Sequence, residues 1–250
     1  MNIGDVFTYI FKDKRWMNKL GIGVLIMLVP ILNFALTGYM IGIIQNVMNR
    51  KPDPLPEWDN LGQKVIEGFK LALAKMVYSL PMVLFFCLPL SFLLVPAVIS
   101  GNENLQDAGV VLFPIAGLLF IALMGLFSLY ALVLSVLYPA VDILYTRERT
   151  FSSCFKYREI YQLMRNNAGS YFTTWLVAFG VGLGINMVIS PVTVLISWIP
   201  FLGALVGFFI LSASSIFMLF FIAHLYGQLG ALAFGQNLDD TTGAVTSWHD

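Results

Sequence analysis

The sequence predicts an all-α protein: a polytopic transmembrane helix bundle of about four full spans plus a short broken helical hairpin, with amphipathic interfacial helices on one surface. Three observations carry this expectation. Of 250 residues, 58% are hydrophobic and 11% charged, whereas a soluble domain carries about 25% charged residues; mean hydropathy is +0.82. Several apolar runs reach the ~20 residues that a helix needs to cross ~30 Å of hydrocarbon. The 14 lysines and arginines fall in three clusters separated by uncharged stretches: Lys12, Lys14, Arg15 and Lys19; Arg50, Lys51, Lys64, Lys70 and Lys75; Arg147, Arg149, Lys156, Arg158 and Arg165. The bias of basic residues toward the cytoplasmic side puts all three clusters on one face of a membrane. A net charge of zero excludes a basic nucleic-acid binder. Cys87 and Cys154 lie far apart in apolar and polar surroundings, so they suggest neither a disulfide framework nor a metal cluster, and no cofactor motif is present.

A single integral membrane domain is expected over residues 1–236. Residues 1–15 read as an interfacial helix, because Ile3, Val6, Phe7, Ile10 and Phe11 share a face just before Lys12, Lys14 and Arg15, as in a helix lying on an anionic leaflet. The charged start is read as mature protein, since no small-x-small cleavage pattern follows it. Residues 17–48 form two short apolar runs broken at Pro30 to Asn33. With Lys19 and Arg50 on the same side, the chain must enter and return between them, so this pair is a hairpin, re-entrant or of two thin spans.

The loop from Arg50 to Asn60 holds three prolines that fix φ near −65° and stiffen it. Asp59 is read as the N-cap of an interfacial helix over residues 57–70, in which Leu61, Val65 and Phe69 recur at helical spacing with Trp58 at headgroup level. Full spans are expected over residues 71–99, 110–145, 171–189 and 202–234. An outer loop with Glu103 and Asp107 follows the first, and an uncharged turn with Pro191, Trp198 and Pro200 follows the third. Residues 153–169 contain a further surface helix with Tyr157, Ile160, Tyr161 and Met164 on one face. The acidic residues 237–250 are expected to form a disordered cytoplasmic tail.

Few side chains offer chemistry. Asp142 follows Tyr138-Pro139 near the end of an apolar run; it is either a proton or cation site with Tyr145 as partner, or an interfacial carboxylate paired with Arg147 or Arg149. His224 and Gln228 share a face of the last span, where they contact a polar ligand or hydrogen-bond to neighbouring helices. The same helix has Ala223, Gly227, Ala231 and Gly235 at every fourth position, a seam that lets another backbone approach; Gly38 with Gly42, Gly180 with Gly184, and Gly203 with Gly207 repeat the spacing. Glu57 and Asp59 flank Trp58 and either bind a cation or basic partner or cap the helix. No nucleophile–base–acid order, paired histidine ligands or Cys-x-x-Cys occurs, so no catalytic or metal-ligating residue is assigned and no enzyme is expected.

Together, Trp16-x-x-Lys19-Leu20, Pro30-Ile-Leu, Pro54-Leu-Pro-Glu-Trp-Asp59, Tyr138-Pro-Ala140, Phe155-Lys-Tyr-Arg158 and His224-x-Tyr-Gly-Gln228 resemble the prokaryotic polytopic membrane proteins grouped as domain of unknown function number four thousand and thirteen. The resemblance covers residues 3–236 and implies a protein of a prokaryotic cell membrane, without an activity. From the residues, the expected function is non-enzymatic: organising or binding lipid, a membrane partner or a second copy at the cytoplasmic leaflet, with both termini inside and anionic lipid headgroups as partners. The alternative is a small transporter or channel using Asp142 and His224 in a midplane cavity.

Overall fold

The computed structural model describes residues 3–101 and 106–245. In chain order its helices are α1 (Ile3–Lys12), α2 (Trp16–Met27), α3 (Asn33–Met48), α4 (Leu61–Ser100), α5 (Gln106–Glu148), α6 (Tyr157–Asn166), α7 (Ala168–Ser197) and α8 (Leu202–Val245), with 3₁₀ turns at Pro30–Leu32 and Phe151–Phe155. No strand occurs among the described residues, and the architecture is the all-α polytopic bundle that composition predicts.

Five segments are long and apolar enough to cross a membrane: Pro30–Met48, Leu61–Pro96, Val111–Glu148, Ala168–Ser197 and Leu202–Gly235. That is one more than the four full spans expected. The addition arises because the turn at Pro30–Leu32 continues into α3, giving 19 residues, roughly 28 Å at the α-helical rise. α2 stays short. The break at Pro30 falls where the sequence places it, and the freed backbone donors close locally: Leu28 N–H on Leu25, Val29 N–H on Ile26 and Leu32 N–H on Val29.

Helix boundaries differ from the sequence reading at four places. The helix expected over residues 57–70 begins at Leu61 and is the start of α4, because nothing breaks the helix between Leu61 and the apolar run beyond it. α5 starts at Gln106, inside the expected outer loop, of which Glu103 lies outside the described residues. α7 runs through Pro191 to Ser197, which leaves only residues 198–201 as the turn, with Phe201 at φ 61°. Proline inside an apolar helix removes one hydrogen bond without ending it, and α4 absorbs Pro81, Pro89 and Pro96 in the same way. α8 runs on through residues 237–245, part of the expected tail; residues 246–250 lie outside the described residues.

Two compact units make up the chain: Met1–Ala72 with Pro139–Asp250, and Leu73–Tyr138. In the first, α8 packs against α1, α2, α3 and α7, burying Ile216, Phe220, Phe221, Leu225 and Leu229. α3 is buried on most of its circumference, from Ala35 to Ile44, so half of the short hairpin is the core of this unit. On α1, Val6 is buried with Ala178, Phe221 and Leu225, Tyr9 and Ile10 are buried too, and Phe11 is exposed; the side chains of Ile3 and Phe7, in the same expected stripe, lie outside the described ones. An amphipathic period does not distinguish lipid from protein as the apolar partner.

The second unit consists of the remaining lengths of α4 and α5. Tyr130 donates to the Tyr78 carbonyl at 2.8 Å, Phe85 packs on Tyr130, and Lys75 lies 5.3 Å over the Tyr138 ring. Many of its leucines and valines are exposed, which costs nothing where the solvent is hydrocarbon. Ser79 and Ser91 return their hydroxyls to carbonyls three residues back, at 2.9 and 2.8 Å, so neither presents a free hydroxyl to lipid.

The closest helix crossing joins α3 to the first turns of α4. A Cβ on Gly68 would sit 1.8 Å from the Phe34 carbonyl oxygen, and one on Gly38 would sit 2.0 Å from that of Lys64. Gly227 meets Val47 in the same manner, as the seam on α8 predicts. Gly180, Gly184 and Gly207 face open space, so their spacing is not a contact within the bundle. Gly68→Ala is expected to lower stability by about 1–3 kcal/mol through overpacking. Gly180→Ala, which meets nothing, should leave stability unchanged or raise it by up to about 1 kcal/mol. Unfolding midpoints of the two variants in detergent check this contrast.

Candidate functional site

The site is built around a lysine that the sequence places among exposed positive charges. Lys19 is 4% exposed. Its ammonium donates to Asp13 Oδ2 at 2.7 Å and to the Leu55 carbonyl at 2.9 Å, and Glu57 Oε1 lies 3.1 Å away. An ammonium has three N–H donors, and three acceptors surround it. Arg15 reaches the same Glu57 oxygen at 2.9 Å.

The proline-rich loop is held carbonyl by carbonyl. Asn46 donates to the Pro54 carbonyl at 3.1 Å, Lys19 to Leu55, and the Tyr39 hydroxyl to Pro56 at 2.8 Å. The Trp58 indole donates to the Lys19 carbonyl at 2.8 Å and stacks on Tyr39 with centroids 4.1 Å apart. Prolines lack backbone donors, so pinning their acceptors from neighbouring helices fixes this loop. At its start α3 ends in a Schellman arrangement: Arg50 N–H bonds to Val47 and Lys51 N–H to Asn46, with Arg50 at φ 54°, a left-handed position that usually takes glycine.

The expected acid pair separates. Glu57 joins Arg15 and Lys19, while Asp59 pairs with Lys64 at 2.9 Å; neither caps α4, which begins beyond Asn60 at φ 47°. The hydrogen bond from Lys64 and its charge hold the exposed Asp59 carboxyl below the usual range.

Asp142 is 2% exposed, and each of its expected partners has a contact of its own elsewhere. The Tyr145 hydroxyl donates to Glu67 Oε2 at 2.9 Å, Arg147 lies 4.2 Å over the Phe234 ring, and Arg149 binds Gln45 and approaches Glu67 at 3.8 Å. The Asp142 carbonyl accepts from the Thr146 hydroxyl at 2.7 Å. The grouping around Glu67 had no signal in the sequence, since its members come from α3, α4 and α5.

His224 and Gln228 do lie together, with Nε2 of Gln228 3.4 Å from Nδ1 of His224. The His224 ring stacks on Tyr9 at 4.0 Å, and the Tyr9 hydroxyl donates to the Phe220 carbonyl at 2.7 Å. Both residues line a cleft of about 270 Å³ with Lys12, Arg50, Lys51 and Asp53; Asp142 is not among its lining. A separate groove of about 370 Å³ between α7 and α8 has Asn186, Ser214 and Ser215 among apolar residues and carries no charge. Among the described residues no group of three or more His, Cys, Asp and Glu side chains is placed to hold a metal ion.

Through these contacts the three basic clusters meet at one end of the first unit: Lys12 with Arg50 and Lys51 around the cleft, Arg50 beside Gly235, and Arg147 on Phe234. Such an end, continuous with helices long and apolar enough to span, marks a polytopic membrane protein. The family described as protein of unknown function (DUF4013) matches residues 22–195, and the chain belongs to that family. No curated protein and no solved structure matches it.

Removing the Lys19 ammonium would leave the largely covered Asp13 carboxylate with only the Arg15 amide, so Lys19→Met should cost about 3 kcal/mol. Glu57→Gln, at a half-exposed carboxylate, should cost about 1 kcal/mol or less. Detergent unfolding curves of both variants check the order. For Asp13, burial raises the pKa, but hydrogen bonds from Lys19 and the Arg15 amide, with their charges, bring it below the ordinary value. A depressed folded pKa stabilises above the unfolded value and is lost as pH falls through the folded one. Tryptophan emission should therefore report loosening of this loop below about pH 4, and Asp13→Asn should remove that pH dependence.

Proposed function

We propose that this chain is a non-enzymatic integral membrane protein that binds and organises anionic lipid at its charged end, which faces the cytoplasm by the positive-inside bias. The observation that supports this most is how its cations are used. Arg15, Lys19, Lys64, Lys70, Arg149 and Lys156 are in ion pairs, whereas Lys12, Arg50 and Lys51 make no ion pair among the described residues and surround one cleft. Cations held near a leaflet without carboxylate partners attract anionic headgroups at about 1 kcal/mol each.

The transport reading draws less support, because Asp142 does not line the cleft that holds His224 and the groove between α7 and α8 is uncharged. Native mass spectrometry of the protein released from nanodiscs of mixed phosphatidylglycerol and phosphatidylcholine tests the proposal. Phosphatidylglycerol should be retained in excess of its bulk fraction. Retention in proportion to the bulk would sink the lipid reading, and a small ligand lost on Asp142→Asn with His224→Ala would favour transport.

A further inference from the structure

We propose that the cleft between α1, the loop after α3, and α8 is a binding site for the phosphate of an anionic phospholipid headgroup. This rests on the reading above and gives it a place and a chemical group.

Lys12 comes from the end of α1, and Arg50 and Lys51 from the turn that ends α3, yet they converge on one cleft. Helix C-termini attract cations, and this accounts for each of the three singly. It does not account for their convergence. The carboxylates nearby do not cancel them: Asp13 is taken by Lys19 at 2.7 Å and by the Arg15 amide at 2.7 Å, leaving Asp53 against three cations. Gln228 and His224 line the same cleft, and Tyr9, stacked on His224, closes it beside α1. A phosphate oxygen suits such a set, since Arg offers a planar fork of donors and Lys a point charge.

Depth selects a lipid. His224 lies about 33 Å along α8 from Leu202, just past ~30 Å of hydrocarbon. Phe11, 57% exposed, is next to Lys12 and packs edge-on against Trp16 at 5.2 Å, an aromatic pair of the kind found at headgroup level. A phosphate in the cleft would have its acyl chains beside an exposed apolar ring.

The test uses full-length protein in nanodiscs of phosphatidylglycerol and phosphatidylcholine, comparing wild type with Arg50→Gln/Lys51→Gln and with a charge-matched control, Arg158→Gln/Arg165→Gln, on exposed positions of α6. All four residues are exposed, so folding should survive. Phosphatidylglycerol retention is expected to fall roughly tenfold or more in the cleft variant and to stay at the wild-type level in the control. Equal loss in both variants would overturn the cleft while leaving lipid binding at the charged end intact. No preference in the wild type would overturn that broader reading as well. Displacement of phosphatidylglycerol by millimolar inorganic phosphate, in the wild type alone, would make free phosphate the ligand and overturn the lipid assignment.

Discussion

The buried ammonium of Lys19 is the interaction on which the polar end of this protein depends. Taking a charge out of water costs several kcal/mol, and only a full set of acceptors offsets it. Asp13, Glu57 and the Leu55 carbonyl supply that set, from the α1–α2 junction and from the loop after α3. Two segments far apart in sequence are thereby held side by side. The Trp58 indole bonds to the carbonyl of the same lysine, and Tyr39 carries that ring on its own face. Arg50 and Lys51 stand at the start of the loop so anchored. Their position by the cleft follows from a contact that neither of them makes.

A second constraint is the solvent. Bilayer hydrocarbon offers no hydrogen bonds, so each helix must satisfy its own backbone and each hydroxyl must find an acceptor within the protein. It also imposes no penalty on exposed leucine, so hydrophobic burial is a weak guide to packing. Contact is decided by shape instead. The backbones of α3 and α4 meet where Gly38 and Gly68 let the carbonyls of Lys64 and Phe34 approach, while the glycines of α7 that face open space have no such partner.

Charge is distributed by this packing into two populations. Six cations of the first unit are held in ion pairs among the described residues, such as Arg15 with Glu57 and Lys156 with Glu148. Lys12, Arg50 and Lys51 around the cleft are in no ion pair among the described residues, and they stand with Asp53 beside a histidine and a glutamine. Structural ion pairs and a candidate binding surface thus share one end of the molecule.

Composition and periodicity were sufficient for the membrane class, the helical architecture, the break at Pro30 and the segregation of basic residues, because these are properties of hydropathy and charge along the chain. The closeness of His224 and Gln228 was also legible, being a matter of helical spacing. The partners were not. Asp59 reads equally well as a cap or as an ion-pair member until Asn60 turns the chain, and Asp142 is near Arg147 in sequence while the fold gives that arginine to Phe234. Lys19 looks like one more positive-inside residue until Asp13 and Glu57 close around it. Only the tertiary structure decides such matters, since a buried charge is defined by acceptors that arrive from other helices and an apolar stripe does not reveal whether lipid or protein will cover it.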